Sequence, residues 1–310
     1  MIDRTVYRLS QLKSGIKHPR LILRELNRYY FTQLKTKPYN NRGIEIFDED
    51  WDNLLLLDAC RYDIFDEIHS LPGHLEQRES KASETVGFLT SNFSDKDLRD
   101  TVYVTANPQL YRHWDEIEPN LHEIINVWDQ AGWDDELGTV RPETTTEYAV
   151  QAAEEYDDKR LIVHYIQPHY PFLTTDVTFD KGHLESEEDE ENLWYRKLYG
   201  ELDIEANELW NLYTETLKQT LPHVERLIKS LQGRSVVTAD HGNMFGERSF
   251  PIPIREWGHP HSIFTEELVS VPWLVVGSDE RREIVAEDHV ATTDIASDVS
   301  DRLQQLGYRS

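Results

Sequence analysis

Short apolar runs separated by longer amphipathic stretches constrain the fold of this chain more than any other feature of its sequence. Continuous apolar strands flanked by helical patterns are typical of a parallel sheet that is buried on both faces. The sequence therefore predicts an α/β fold, a three-layer α/β/α sandwich with a mostly parallel central sheet. The predicted strands cover residues 53–57, 101–105, 161–166, 235–238 and 272–276. The predicted helices cover residues 60–69, 85–92, 142–156, 190–231 with a break, and 293–306.

The charge of the chain limits its partners. Its 310 residues include 58 acidic and 32 basic ones, for a formal net charge of -26. So negative a chain repels the phosphate backbone, which argues against a nucleic-acid partner. The basic residues are 21 Arg and only 11 Lys. An acidic, lysine-poor composition is typical of proteins that work in concentrated salt, and it predicts a halophilic archaeal source.

Cysteine usage and hydropathy bear on the compartment. Cys60 is the single cysteine, so no intramolecular disulfide can form and nothing indicates an oxidising compartment. No run approaches the roughly 20 apolar residues that a membrane-spanning helix needs. These features predict a cytoplasmic protein.

The first 42 residues differ in charge from the rest. They contain ten Arg or Lys against Asp3 and Glu25, which leaves this segment at +8 and the remainder at -34. We predict a basic, amphipathic N-terminal arm over residues 1–45 and one α/β domain over residues 46–310. The apolar residues of the arm recur at helical spacing, which predicts a pair of surface helices. Two interpretations stay open: the arm docks on the acidic body, or it contacts an anionic lipid or partner and holds the chain at the inner membrane face.

Polar residues follow several of the predicted strands directly. Asp58 closes a run of four leucines, Asp240 and His241 follow the strand over residues 235–238, and His169 follows the strand over residues 161–166. In open α/β sheets, ligands bind outside the carboxyl ends of the strands. A carboxylate after four leucines calls for a neutralising partner, and a cation is the natural one. Asp58 could instead cap the helix that begins near Cys60.

The run Asp240-His241-Gly242 is more specific. A carboxylate beside an imidazole supplies two metal ligands from one strand end, and the glycine lets the backbone turn sharply away. The alternative is a polar turn with an Asx-type hydrogen bond.

These residues resemble a known family. Residues 237–247, VTADHGNMFGE, look like the metal-binding signature of sulfatases and their alkaline-phosphatase superfamily relatives. Residues 167–172, QPHYPF, resemble a central motif of the same group, and residues 271–276, VPWLVV, match the strand that usually follows. The resemblance covers roughly residues 50–280. It implies an alkaline-phosphatase-like fold in which Asp58, Asp240 and His241 are metal ligands and the nucleophile is a fourth.

The resemblance also places the nucleophile at the start of a helix some 25 to 45 residues after the first aspartate. The matching segment is SKASETVGFL, residues 80–89. We predict Thr85 as the nucleophile, with Ser83 as the substitute. A hydroxyl there could coordinate the metal and sit at the positive end of a helix. Helix capping is the alternative explanation for both hydroxyl residues.

Departures from the sulfatase pattern narrow the prediction. Cys60 is followed by Arg61-Tyr62-Asp63 and cannot be the formylglycine precursor of a sulfatase, so we interpret it as a packed side chain. Ala59 stands where sulfatases often have a second aspartate. A single metal with a threonine is similar to phosphodiester-cleaving transferases of the lipoteichoic-acid-synthase kind. The ligand set favours Mn²⁺ or Zn²⁺, with Ca²⁺ or Mg²⁺ also open.

Further polar residues could complete the site. We predict that His169 and His261 act in catalysis and that His169, His259 and His261 bind substrate, because imidazoles can hold ester oxygens and protonate a leaving group. Arg61 is predicted to contact an oxyanion, with an ordinary ion pair as the alternative.

The function predicted is that of a metal-dependent hydrolase or transferase acting on a phosphate or sulfate ester, such as one on a glycan or lipid headgroup. The alternative is a catalytically weak protein that binds an anionic sugar or lipid headgroup through the same metal. The sequence leaves open the choice of phosphate or sulfate, the natural substrate, a second metal and the oligomeric state.

Overall fold

A seven-stranded sheet forms the centre of the computed structural model, which describes residues 19–35, 39–129, 132–174, 193–277, 281–288 and 291. Its strands are β1 (Asn53–Leu57), β2 (His74–Glu79), β3 (Leu98–Thr105), β4 (Leu121–Asn126), β7 (Arg160–Tyr165), β8 (Ser235–Thr238) and β11 (Ser270–Val276). They lie in the order β2-β11-β8-β1-β7-β3-β4. Two hairpins lie outside this sheet, formed by β5 (Trp133–Asp134) with β6 (Thr139–Val140) and by β9 (Met244–Arg248) with β10 (Arg255–Gly258).

The sheet is mostly parallel. Strands β8, β1, β7, β3 and β4 pair in parallel, whereas β11 is antiparallel to both β8 and β2. Strand β2 therefore runs in the same direction as the parallel group. The carboxyl ends of six strands meet at one edge of the sheet.

Helices surround this sheet. They are α1 (Pro19–Tyr29), continued by a π-helical turn (Tyr30–Lys35), α2 (Tyr62–Ile68), α3 (Thr85–Phe93), α4 (Gln109–Arg112), α5 (Trp114–Ile117), α6 (Pro142–Glu155), α7 (Leu193–Tyr199), α8 (Ala206–Ser230) and α9 (Glu266–Val269). Two short 3₁₀ turns cover Ile46–Asp48 and Val127–Asp129.

Strand β1 shows why the chain forms three layers. Its leucines alternate between the two faces of the sheet, so Leu54 and Leu56 belong to one core cluster and Leu55 and Leu57 to the other. Residues of α3, α4 and α5 complete the first cluster, and residues of α2, α6 and α8 complete the second. Fully burying a leucine stabilises a fold by about 1.5–3 kcal/mol, so the four together fix β1 at the centre. The predicted three-layer α/β/α sandwich is confirmed.

The predicted elements agree with the structure where the hydrophobic pattern was strong. The bounds of β1 and β8 are those predicted, and the helical segment 190–231 contains α7 and α8. Strand β2 escaped prediction because the edge strand HLEQRE has five polar residues, as exposed edges often do. Strand β4, at the other edge, also escaped prediction. The predicted helix over residues 293–306 lies outside the described residues.

Residues 19–35 of the N-terminal arm are helical and dock on the body. Arg24 of α1 is buried and pairs with the buried carboxylate of Glu256. Residues 1–18, which hold the other predicted helix of the arm, lie outside the described residues. No helix in the part of the chain that the structure describes has both the length and the apolar character needed to cross a membrane.

Candidate metal centre

Four side chains that follow strands of the central sheet meet at its carboxyl edge. Asp58 follows β1, and Asp240 and His241 follow β8. Thr85 is the first residue of α3, which the chain enters after β2. Because β1, β2 and β8 run in the same direction, the sheet delivers all four residues to one crevice.

The distances within this cluster are those of near neighbours. Asp58, Asp240 and His241 each offer one ligand atom, and these atoms lie within 4.8 Å of one another. His241 Nε2 is 3.3 Å from Asp240 Oδ2 and 3.5 Å from Asp58 Oδ1. Thr85 Oγ1 is 2.7 Å from Asp240 Oδ2 and 3.3 Å from His241 Nε2. None of the four residues is more than 4% exposed.

The tautomer of His241 follows from its other contact. Its Nδ1 lies 2.8 Å from the carbonyl oxygen of Gly242, and a ring nitrogen facing a carbonyl carries the proton. In the neutral ring, Nε2 then presents a lone pair towards the two carboxylates. Three acceptor groups that face one another are held together by a cation between them, and fixing the ring through its other nitrogen is typical of metal-bound histidine.

Asp58 has an unsatisfied oxygen. Asn107 Nδ2 donates to Asp58 Oδ2 over 2.5 Å, whereas Asp58 Oδ1 has no hydrogen-bond partner among the described residues. Burial, together with the nearby carboxylate of Asp240, raises the pKa of Asp58 well above its ordinary value. A buried carboxylate in such surroundings is stabilised by a cation. The residues of the cluster therefore fit a divalent metal ion.

Asp240 accepts more hydrogen bonds than Asp58 does within the described part of the chain. The backbone amides of Ala59 and His241 donate to its Oδ1 over 3.0 and 2.9 Å. Burial acts to raise the pKa of Asp240, but the imidazoles of His241 and His164 and these hydrogen bonds outweigh burial and lower it. The site therefore favours the ionised form of Asp240 and, in the absence of a cation, disfavours the ionised form of Asp58.

Helix capping does not explain Thr85. The carboxylate of Glu84 caps α3 by accepting hydrogen bonds from the amides of Val86 and Gly87, each over 2.7 Å. The hydroxyl of Thr85 is therefore free of the helix end and donates to Asp240 instead. It lies at the positive end of a nine-residue helix, where negative charge on its oxygen is stabilised.

The side chain of Ser83 contacts a different part of the chain. Its hydroxyl donates to the carbonyl oxygen of Pro260 over 2.9 Å, and the residue is 1% exposed. The structure therefore brings Thr85 to Asp240 and leaves the predicted substitute, Ser83, bonded to a loop beside the cluster.

Gly242 is required by a close approach rather than by a left-handed turn. A Cβ at this position would lie 2.1 Å from the carbonyl oxygen of Glu267, and the Gly242 amide donates to the carbonyl of Leu268 over 2.8 Å. The role of this glycine is therefore to let the chain pack against α9, the short helix that precedes β11.

The turn after Asp58 is strained. Ala59 has a left-handed backbone with φ of 60°, which costs an L-residue about 1 kcal/mol. This conformation aims the Ala59 amide at Asp240, and the Ala59 carbonyl accepts a hydrogen bond from the hydroxyl of Tyr213 over 2.7 Å. Cys60, the next residue, is buried in the core as a packed side chain.

Two further imidazoles border the cluster. His169 Nε2 and His259 Nε2 are 2.9 Å apart, and the ring centroids of His259 and His241 are 4.7 Å apart. Burial and the neighbouring His241 lower the pKa of His169 to about 4. Burial, His241 and His169 lower the pKa of His259 well below its ordinary value. Both rings are neutral at pH 7, which favours a substrate-binding role over protonation of a leaving group.

The structure does not bring His261 or Arg61 into the cluster as free groups. The side chain of His261 is exposed, and its carbonyl accepts a hydrogen bond from Arg28 Nε over 3.0 Å. The guanidinium of Arg61 pairs with Asp63 and Glu247, each over 2.5 Å. An oxyanion role for Arg61 would require these ion pairs to open.

Three residues of the site were missed by sequence reasoning. Asn107 holds Asp58 and follows β3, so its signal was the one already used for Asp58: a polar residue just after a buried strand. His164 is a fully buried residue within β7 whose Nε2 lies 3.7 Å from Asp240 Oδ2. The hydroxyl of Tyr103 lies 2.7 Å from His164 Nδ1. A histidine inside an apolar strand was the available signal for this pair.

Comparison with known proteins gives structural neighbours only. No family model and no curated protein matches the sequence. Lipooligosaccharide phosphoethanolamine transferase A from Neisseria meningitidis, an integral membrane protein, is 13% identical with a TM-score of 0.47 over 72% of this chain and 46% of that one. The C-terminal periplasmic domain of EcEptC from Escherichia coli, in complex with zinc, is 14% identical with a TM-score of 0.45 over 73% of this chain and 72% of that one. A 2-O GAG sulfatase is 13% identical with a TM-score of 0.45 over 78% of this chain and 67% of that one.

The chain spans about half the length of the first of these structures. At identities of 13 to 14% and TM-scores below 0.5, the chemistry of the cluster has to be argued from this chain's own residues. The halophilic source and the cytoplasmic location stay predictions.

Proposed function

We propose that this chain is a metal-dependent enzyme that cleaves or transfers a phosphate or sulfate ester, with Thr85 as the nucleophile. The observation that carries the proposal is the contact of the Thr85 hydroxyl with Asp240, 2.7 Å, inside a buried cluster whose Asp58 Oδ1 has no partner among the described residues. The same arrangement combines a nucleophile with a set of metal ligands.

Asp58, Asp240 and His241 would hold the metal, and the hydroxyl of Thr85 would complete the set. Two carboxylates, one imidazole and one hydroxyl suit Zn²⁺ or Mn²⁺. When bound, the ion supplies positive charge that lowers the pKa of the hydroxyl and polarises the ester.

The residues of the chain account for the chemical step. Thr85 Oγ1 attacks the phosphorus or sulfur atom, and its proton passes to Asp240, the carboxylate to which it already donates. The new bond joins Oγ1 to the central atom, and the leaving oxygen departs with the bonding electrons and takes a proton from solvent. Water or an acceptor alcohol then attacks the central atom and loses a proton to solvent, and Oγ1 leaves with the bonding electrons and takes back the proton from Asp240.

His169 and His259 are proposed to bind the substrate. Their rings lie beside His241 and are neutral. His169 Nδ1 faces the carbonyl of Tyr170, so the proton between the two Nε2 atoms belongs to His259. This N–H can turn from His169 to an ester oxygen without adding charge to the site. An anionic ester, such as one on a glycan or lipid headgroup, is the proposed substrate class.

Turnover of matched aryl esters tests the proposal. We would assay an aryl phosphate monoester, an aryl phosphodiester and an aryl sulfate in high-salt buffer, with zinc, with manganese and with a chelator. Cleavage of one class is expected only with metal. Thr85→Ala should lower kcat by about a thousandfold or more, whereas Ser83→Ala, the matched control two residues away, should retain activity within about threefold because its hydroxyl is not required for the cleavage step.

Retained turnover in Thr85→Ala, or a comparable loss in Ser83→Ala, would contradict the assigned nucleophile. Metal and ester binding without turnover of any substrate by the wild-type protein would instead support the alternative function, a binding protein for an anionic headgroup.

A further inference from the structure

Helix α1 is docked with its polar side facing the body. Its buried residues are Arg24 and Asn27. Arg24 Nε donates to the buried carboxylate of Glu256 over 2.9 Å, and the side chain of Asn27 exchanges hydrogen bonds of 2.9 and 2.8 Å with the backbone of Ile252. A surface helix of a globular protein normally turns its apolar side to the core. In helix α1, Leu21 packs against the core, but the fully buried residues are polar and other apolar side chains are exposed.

The outward side of α1 is largely apolar, and the one acidic residue of this helix, Glu25, is exposed there in an ion pair with Arg28. Ile22, Leu26 and Tyr29 are spaced by four and three residues, so they lie on one side of the helix. They are 51%, 50% and 57% exposed, and Leu34 in the π-helical turn is 66% exposed. We refer to these four side chains as the apolar stripe. Its size requires an explanation, since exposed apolar patches on a folded protein mark interaction sites.

The apolar stripe continues onto the body beside it. The ring of Tyr30 packs against Phe250 with 5.3 Å between the ring centroids, and Phe250 is itself 54% exposed. The exposed apolar surface therefore includes the loop that joins β9 to β10 as well as the arm.

Positive charge flanks the stripe in the sequence. Lys13 and Lys17 precede α1, Lys35 and Lys37 follow it, and no acidic residue occurs between Glu25 and Glu45. The rest of the chain is strongly acidic and would be repelled by an anionic surface. An apolar helix face with neighbouring lysines is typical of a helix that lies in the interface of a membrane containing anionic lipid.

We propose that the apolar stripe of α1 binds the surface of an anionic lipid bilayer, with the helix lying along the membrane. The docked polar side keeps the arm attached to the body while the apolar stripe enters the lipid. Both interpretations of the arm are then satisfied by opposite sides of one helix.

The binding surface is connected to the metal centre. Arg28 of α1 donates to the carbonyl of His261, two residues after His259, which borders the centre. A chain bound to the membrane through the apolar stripe would bring the candidate metal centre close to ester groups at the lipid surface. This last step rests on the proposed function, whereas the membrane binding itself does not.

Vesicle co-sedimentation of the full chain tests the proposal without measuring turnover. We would compare phosphatidylcholine vesicles with vesicles in which about a quarter of the lipid is phosphatidylglycerol, at the lowest salt concentration at which circular dichroism shows the native fold. The wild type is expected to bind the anionic vesicles, and binding should weaken as salt rises. The double variant Ile22→Ser/Leu26→Ser should bind on the order of tenfold or more weakly.

Val285→Ser is the matched control. Val285 is 38% exposed, and its amide donates to the carbonyl of Asp158, just before β7 and hence at the opposite edge of the sheet from the centre. This variant should bind vesicles as the wild type does.

Three results would overturn the proposal. Equal binding of the wild type and the double variant would mean that the apolar stripe does not contact the membrane. Equal binding to both kinds of vesicle would mean that the charge of the lipid plays no part. A lower melting temperature or a loss of self-association in the double variant, without vesicle binding by the wild type, would show that residues 1–18 or a second copy covers the stripe.

Discussion

Two buried aspartates stand at opposite ends of strand β1, and their surroundings are opposite in kind. Asp52 precedes the strand and Asp58 follows it, and the two are 0% and 1% exposed. Asp52 accepts hydrogen bonds from Nε and Nη2 of Arg281 over 2.9 and 3.0 Å. Asp58 accepts one hydrogen bond from the described residues, that of Asn107, and faces the carboxylate of Asp240.

The backbone near the amino end of β1 also contributes to neutralising Asp52. The amide of Arg234 also donates to Asp52 over 2.8 Å, and Gly233 allows this approach, because a Cβ there would lie 2.3 Å from Asp52 Oδ2. The protein supplies its own cation at this end of β1. At the other end, Asp58 and Asp240 meet without a Lys or Arg partner among the described residues. A buried carboxylate is therefore structural when the chain neutralises it, and a candidate ligand when the chain does not.

The largest expected difference between the two ends is in activity. Asp58→Asn should lower kcat/KM by about a thousandfold or more, because it removes a negative ligand from the proposed metal site. Asp52→Asn should leave kcat/KM within about threefold at a temperature where the variant is folded, since Asp52 lies at the opposite edge of the sheet. Steady-state assays on the ester class that the wild type cleaves measure both. Similar losses of kcat/KM in the two variants would mean that the two ends of β1 do not differ in function.

In the absence of metal, the loss of stability should be larger in Asp52→Asn than in Asp58→Asn. In the presence of a chelator, Asp52→Asn should lower the free energy of unfolding by about 2 kcal/mol, because it removes the buried charge that pairs with Nε and Nη2 of Arg281 and leaves Asp50 as the ion-pair partner of that guanidinium. Asp58→Asn should not lower it, since the amide removes a carboxyl that burial and Asp240 disfavour in its ionised form. Denaturant unfolding of both variants gives the two values. A larger loss in Asp58→Asn than in Asp52→Asn would mean that Asp58 is structural.

The stability of the metal-free protein should depend on pH through the titration of the Asp58 carboxyl. In the unfolded chain this carboxyl titrates near pH 4, and in the fold its pKa is raised well above that value. Between these two values the folded state binds the extra proton, so stability without metal falls as pH rises above about 4. Bound metal should remove this loss and stabilise the fold by about 2–3 kcal/mol at a hundredfold excess over Kd.

Melting curves with and without metal at pH 5 and at pH 8 check this prediction, and Asp58→Asn is the control in which the pH-dependent difference should shrink. A metal-induced stabilisation that is larger at pH 5 than at pH 8 would contradict the sign of the effect.

A smaller effect is expected from the amide that holds Asp58. Asn107→Ala should weaken metal binding by about tenfold, the usual effect of removing a group that orients a ligand. Asn53→Ala is the matched control: Asn53 donates to the carbonyl of Gln232 at the amino end of β1, so its loss should reduce stability and leave metal affinity unchanged. Calorimetric titration of both variants makes the comparison. An effect of Asn53 on affinity equal to that of Asn107 would indicate a general loosening of β1.

The sequence predicted the centre of the fold better than its edges. Strands β1 and β8 are buried on both faces, so an unbroken apolar run marked each of them. Strand β2 is half exposed, and its polar residues carry no such pattern. Pairing with β11 makes it a strand, and that contact is not local in sequence.

The same distinction holds for the candidate site. Asp58, Asp240 and His241 could be proposed as neighbours because each follows a buried strand, and parallel strands end at a common edge. The choice between Thr85 and Ser83 depended on which residue caps α3, and that residue is Glu84.

For the imidazoles, the sequence marked a cluster but not the direction of each ring. His259 turns inward and His261, two residues later, turns to solvent, a difference that arises in an irregular loop without periodicity. The role of His164 was hidden because a histidine in an apolar strand looks like any other packed core residue.

Metal stoichiometry tests the central claim most directly. Zinc and manganese would be titrated into the chelator-stripped wild type and into Asp58→Asn and Asp52→Asn, with binding followed by calorimetry. One bound ion per chain in the wild type and in Asp52→Asn, together with loss of that binding in Asp58→Asn, is the result predicted here. Undiminished binding in Asp58→Asn, or no binding of either ion by the folded wild type, would contradict the assignment of a metal centre to the carboxyl end of β1.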